Sequence, residues 1–241
     1  MKILMIYLFL FIGLCLSSCQ DEDTLYSCDP IVERWTNDNL SEISKMSRVS
    51  FLSLENDEYK RAAYRTFGID KQRRFWMEKY KELKKMDWSD VEWRHIEQIY
   101  SLVLDEEKSI LNALDLENDD ELLKFIYHWQ EYARETLGWS KKQIYAICYS
   151  VEKVINTQGD IELIYNPRSN NLTRSESDSG SGSGFECSCS QTSSYCDILD
   201  HEGPDYAYCR TPSGGGCKVT ERGCGLFWSF SCNGMCLGLG V

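Results

Sequence analysis

Histidine is scarce in this chain: His95, His128 and His201 are all there are, and no Ser, Cys or Asp arrangement gathers around any of them. Helix breakers are nearly missing from residues 20–168, where Gly68, Gly138, Gly159, Pro30 and Pro167 stand alone. Basic charge is also short, with 26 Lys and Arg against 38 Asp and Glu and a net charge of −12. Each absence excludes something. Without a histidine-centred nucleophile arrangement no catalytic residue is assigned, and neither an enzyme nor a bound cofactor is expected. Without a basic patch no nucleic-acid partner is expected. The last segment, 185–241, carries six acidic residues against three basic ones, so net charge does not draw it to anionic headgroups.

Two histidine patterns resemble metal motifs and fail on count. Glu92-x-x-His95 has the spacing of carboxylate-bridged di-iron sites, but those need two such motifs and two further glutamates. Glu92 is already accounted for as the third residue of a helix capping box opened by Ser89. His128 and Glu131 have the reverse order and the same weakness.

What the chain has is cysteine. Eight of the twelve sit at 187, 189, 196, 209, 217, 224, 232 and 236. So short a segment cannot bury enough apolar area to fold alone. Up to four disulfides, each stabilising by about 2–4 kcal/mol, would supply the difference. The intervals between successive cysteines hold 1, 6, 12, 7, 6, 7 and 3 residues, unlike the close ligand pairs of zinc modules, so no metal is assigned. Cys187 and Cys189 flank a single serine; a bridge between them would close a tiny strained ring, so each is expected to find a distant partner. Connectivity is otherwise open.

The other cysteines place the chain. Cys15 lies in an apolar run, 3–16, behind Lys2; the run has the length of a signal-peptide core and is short for a membrane span. It ends in Leu16-Ser17-Ser18-Cys19, which resembles the lipobox of bacterial lipoproteins. That resemblance implies cleavage after residue 18 and lipidation of Cys19, giving a membrane partner through the anchor. Gln20-Asp21-Glu22-Asp23 is similar to the surface-export signal of Bacteroidetes lipoproteins, implying a surface-exposed outer-membrane protein. With Cys15 removed and Cys19 lipidated, an even set remains, as an oxidising compartment favours. Cys28 and Cys148 have two readings, a disulfide with each other or two buried thiols.

Composition divides the mature chain into an α-helical domain (19–168), a flexible Gly/Ser linker (169–184) and a small disulfide-rich module (185–241). The linker ends in Ser-Gly-Ser-Gly-Ser-Gly and has a root-mean-square reach of roughly 20–24 Å. Five to six helices are predicted, near 29–46, 55–67, 70–86, 89–114, 119–137 and 140–155. Ser89 with Glu92 and Ser140 with Gln143 form capping boxes; Gly68 and Gly138 are read as helix stops. Residues 161–165 read as a short strand or extended run.

The segment Cys187-Ser188-Cys189-Ser190-Gln191-Thr192-Ser193-Ser194-Tyr195-Cys196-Asp197-Ile198-Leu199 resembles the start of fulvocin C, an eight-cysteine bacteriocin peptide of myxobacteria. Gly223-Cys224-Gly225, Trp228 and Cys232-Asn233-Gly234 are similar too. The whole layout resembles the fulvocin C-related lipoproteins of the Bacteroidetes. The chain departs from the free peptide in its lipidated helical domain, in a longer interval between Cys196 and Cys209, and in lacking a double-glycine leader before Phe185.

The resemblance implies antagonism of competing bacteria at the envelope through an unidentified target, with the module tethered or secreted after linker cleavage. The alternative is a non-toxic surface module for partner recognition. A third reading makes the helical domain a partner that masks the tail. The residues assigned to target contact are Phe227, Trp228 and Phe230, which would otherwise form the small core of the module. Mass spectrometry of the membrane and secreted fractions without reductant should find Cys19 lipidated and the tail cysteines oxidised; an unmodified, reduced chain would remove both expectations.

Overall fold

A computed structural model describes residues 25–113, 115–162, 187–193, 208–210 and 219–237. The expected signal peptide, Cys19, the expected linker 169–184, Cys196, Cys217 and His201 lie outside the described residues. Among those described are eight α-helices: α1 (Pro30–Asp38), α2 (Leu40–Lys45), α3 (Arg48–Leu52), α4 (Asp57–Arg65), α5 (Ile69–Leu83), α6 (Asp90–Leu104), α7 (Asp120–Glu135) and α8 (Lys141–Cys148). Six short strands follow in three two-stranded antiparallel sheets: β1 (Lys153–Val154) with β2 (Ile161–Glu162), β3 (Tyr208–Arg210) with β6 (Met235–Leu237), and β4 (Thr220–Cys224) with β5 (Phe230–Cys232).

Helix starts follow local chemistry closely. Both capping boxes form, each with the serine side chain accepting from the third helical N–H and the Glu92 or Gln143 side chain returning to the cap N–H. Asp29 caps α1, accepting from Ile31 N at 2.7 Å, with Pro30 at the first helical position. Gly138 takes φ +70° after α7, the left-handed geometry of a helix stop.

Helix ends depart from the expectation in four places. The helix anticipated over 29–46 breaks at Asn39, whose amide donates to Trp35 O at 2.7 Å and competes with the helical ladder. Residues 48–52 form a further helix capped by Ser47. Gly68 has φ −62° and is the N-cap of α5, not a left-handed stop. The stripe expected to run to Leu114 stays helical only to Leu104; Asp105 then accepts from the N–H groups of Glu107 and Lys108, and a 3-10 turn, Ile110–Asn112, returns Ile110 and Leu111 to the core.

The last departure is α8, which stops at Cys148 although apolar residues continue to Ile155. Its continuation, 150–152, is buried irregular backbone whose carbonyls need donors. Two buried basic side chains supply them. Lys79 Nζ donates to Ser150 O and, at 2.8 Å, to Glu152 O; Arg48 Nη2 donates to Val151 O at 2.7 Å. Lys60 Nζ pairs with the Glu152 carboxylate, with both side chains buried. Burial pushes the Lys79 amine down to about 7, and burial also pushes the Glu152 carboxyl up against the attraction of Lys60. A neutral Lys79 amine retains two N–H donors, enough for both carbonyls.

Lys79→Met should lower the unfolding free energy by about 1–3 kcal/mol, because two buried carbonyls lose their donor. The pH dependence has a defined sign. The folded pKa of Lys79 lies below its unfolded value, so the unfolded chain binds more protons between about 7 and 10.5. The cost of burying the charge is therefore full below pH 7 and is relieved as pH rises. Denaturant titrations should show the advantage of wild type over Lys79→Met growing from pH 7 toward 10; a shrinking advantage would contradict this assignment.

Candidate functional site

The most distinctive arrangement is built where the tail meets the helices. Gly223 and Gly225 flank Cys224 with φ of +106° and +67°. A Cβ on Gly225 would lie 2.8 Å from Ser193 Cβ and 2.9 Å from Phe230 Cβ, so only glycine fits this turn. Leu226 N then donates to Ser193 Oγ at 3.0 Å, and Trp228 N and Ser229 N donate back to Gly225 O and Leu226 O, each at 3.1 Å, in tight consecutive turns. Phe227 and Trp228 both adopt left-handed backbone, with φ 51° and 53°. Two adjacent aromatic residues in that region are strained by about 1–3 kcal/mol each and persist only where surrounding contacts hold them. A disulfide between Cys224 and Cys232 closes the loop.

Those contacts come from the helical domain. Phe227 is fully buried, its ring edge-on to Trp76 of α5 and Tyr100 of α6 at 5.0 Å each. The Tyr64 hydroxyl donates to Phe227 O at 3.2 Å while accepting from the Trp76 indole at 2.9 Å. Burial holds the Tyr64 and Tyr100 hydroxyls protonated, with pKa values raised. Trp228 packs edge-on to Tyr64 at 5.4 Å and Phe51 at 6.4 Å, and its indole donates to Tyr149 O at 3.1 Å. The Arg61 guanidinium lies 5.8 Å from the Trp228 ring centroid. Leu226 and Phe230 are fully buried in the same core cluster as α3 to α8.

Polar contacts line the rim. Arg65 Nε donates to Arg222 O at 2.5 Å, and Arg222 Nη1 donates to Leu111 O at 2.9 Å. Ser231 donates from N and Oγ to Glu117 Oε1 at 3.1 and 2.6 Å. An open cleft of about 210 Å³ remains at the seam, bordered by Arg61, Tyr145, Ser188 and Trp228.

The residues assigned to target contact thus have a different place. Phe227, Trp228 and Phe230 are neither an exposed patch nor a private core of the module; they complete the core of the helical domain. The physical reason is complementarity: α4, α5 and α6 present Tyr64, Trp76 and Tyr100 around a space that two further rings fill. Of the cysteines, Cys189 pairs with Cys209 and Cys224 with Cys232; Cys187 is disulfide-bonded too. Cys236 is described by its backbone alone, opposite Cys209 in the β3–β6 pair. Cys28 and Cys148 are thiols rather than a disulfide; Cys148 is buried, which raises its pKa well above the usual value.

The histidines have structural surroundings. Glu92 closes its capping box and accepts from the Trp139 indole at 3.0 Å. His95 stacks on Trp129 with ring centroids 4.6 Å apart, and its pKa is lowered by burial. His128 and Glu131 form an exposed pair at 3.4 Å. Among the described residues no three His, Cys, Asp or Glu side chains gather as a metal site, and no helix is long and apolar enough to cross a membrane.

Sequence reasoning missed Tyr64, Trp76, Tyr100 and Tyr149 as partners of the tail. On their helices they read as ordinary core positions, and nothing in their spacing names what fills the space beside them. Gly223 and Gly225 around Cys224 were the one signal of a constrained turn. No protein-family model matches the chain, and no curated protein or solved structure matches it either.

Phe227→Ala should destabilise the protein by about 3–5 kcal/mol, as for a large core aromatic whose neighbours cannot collapse into the space. The loss should appear in the unfolding of the helices, followed by far-ultraviolet circular dichroism. Unchanged helix unfolding in this variant would mean that the tail contributes nothing to the helical core.

Proposed function

We propose that the protein is an exported, lipid-anchored envelope protein whose fulvocin C-like module acts against competing bacteria, and that its helical domain holds the module in a masked form. The observation that carries this reading is the burial of Phe227 and Trp228 between α3, α4, α5, α6 and the end of α8. The rings that the module would use against a membrane or receptor are occupied by its own chain. Masking explains how a cell carries such a module on its own surface. The anchor at Cys19 rests on the lipobox resemblance, and the antagonism on the eight-cysteine pattern.

A second reading is favoured by the same burial. If the rings serve only to complete the core, the chain is a non-toxic surface lipoprotein in which the cysteine-rich segment stabilises the fold and recognises a partner.

Growth inhibition separates the two. Intact protein should leave related strains unaffected, whereas the oxidised tail, cut within 169–184 and separated from the helices in denaturant, should inhibit them after refolding. A separated, oxidised tail without effect on any related strain would leave the second reading standing.

A further inference from the structure

The Ser-Gly run at 179–184 connects two parts of the chain that share one core. We propose that the cleft framed by α4, α5, α6 and the end of α8 is a receptor for the disulfide-closed loop 224–232, so that cutting the chain within 169–184 yields a two-chain complex and not a free tail. The proposal deepens the masking part of the preceding reading, and it holds whether or not the tail is toxic.

The contact has the form of a ligand in a pocket. Phe227 and Trp228 are the central anchors, 0% and 5% exposed, and aromatic anchors of this kind dominate association energetics. Each anchor is read by a directional bond as well as by shape: the Tyr64 hydroxyl donates to Phe227 O, and the Trp228 indole donates to Tyr149 O. Around them, the Arg65, Arg222 and Glu117 side chains make charge-assisted bonds across the seam. Every one of these bonds joins 25–162 to 219–237 without passing through the connecting segment.

The loop is also held in its docked shape by its own chemistry. The bridge from Cys224 to Cys232 closes it, and Gly225 sets the turn that only glycine allows. A loop restrained in its bound conformation loses less freedom on binding. The intact tether adds an effective concentration on the order of millimolar, which cutting removes while leaving the contacts in place. Cys28 and Cys148 remain thiols, so neither ties the helices covalently to the tail. Release of the tail therefore requires a second event that opens the helices.

The test uses the full chain with a site-specific protease recognition sequence in place of residues 179–184, kept oxidised and cut to completion. A denaturing, non-reducing gel should give two bands, showing that no covalent bond joins the halves. Native size-exclusion chromatography at micromolar concentration should give one species containing both fragments in equal amounts, with helical circular dichroism retained. Separate elution of the two fragments overturns the proposal. So does a single band on that gel from chain whose cleavage is complete under reducing conditions, since the halves would then be joined covalently. Growth inhibition is not read in this experiment, so a harmless tail and an unbound tail give different results.

Discussion

The fold depends on two adjacent aromatic rings supplied from the far end of the chain. Phe227 and Trp228 enter a helical core whose other large members, Tyr64, Trp76 and Tyr100, come from α4, α5 and α6. Protein interiors are close-packed, so a space of that size is filled or the surrounding helices move. The rings are filled in by a turn that strains its own backbone, with φ of 51° and 53° at two consecutive non-glycine residues. Strain of that kind persists where packing and hydrogen bonds over-determine it. Here the determinants are the Tyr64 hydroxyl, the Tyr149 carbonyl and the disulfide that closes the loop.

The wall that receives Trp228 is itself held by an unusual device. The chain leaves α8 at Tyr149 and runs irregularly through 150–152, where helix hydrogen bonds no longer serve its carbonyls. Arg48, Lys60 and Lys79 meet this stretch from α3, α4 and α5. Buried cations are costly in water-free surroundings, and they remain here because each is matched to a carbonyl or to the Glu152 carboxylate. The same helices thus clasp 149–152 on one side and the tail loop on another. Burial of the loop and integrity of the helical core are one physical property, so the two proposed readings rest on a single set of contacts.

The legibility of the chain was uneven. Helix starts were readable, because Ser89 with Glu92 and Ser140 with Gln143 act through neighbouring residues only. Helix ends were less so. Asn39 and Asp105 end helices through side-chain competition with the backbone, and Gly68 begins a helix where a stop was expected. The end of α8 depends on cations tens of residues away, which no local pattern announces. At the site, the presence of disulfides in the tail was legible from the number of its cysteines, whereas the pairs Cys189–Cys209 and Cys224–Cys232 were not. Phe227, Trp228 and Phe230 stood out as an apolar cluster, but their burial against α4, α5 and α6 did not.

The amino-acid sequence by itself determined the local features: a helical region nearly free of breakers, its caps, the acidic balance and a tail dense in cysteine. These follow from spacing, charge and side-chain chemistry within a few residues. Only the tertiary structure decided where the tail goes. A ring reads as hydrophobic whether it fills its own module, a neighbouring domain or a target, because burial is non-directional. Choosing among the three takes the shape of the space that receives it, and here that space lies between helices more than a hundred residues earlier in the chain.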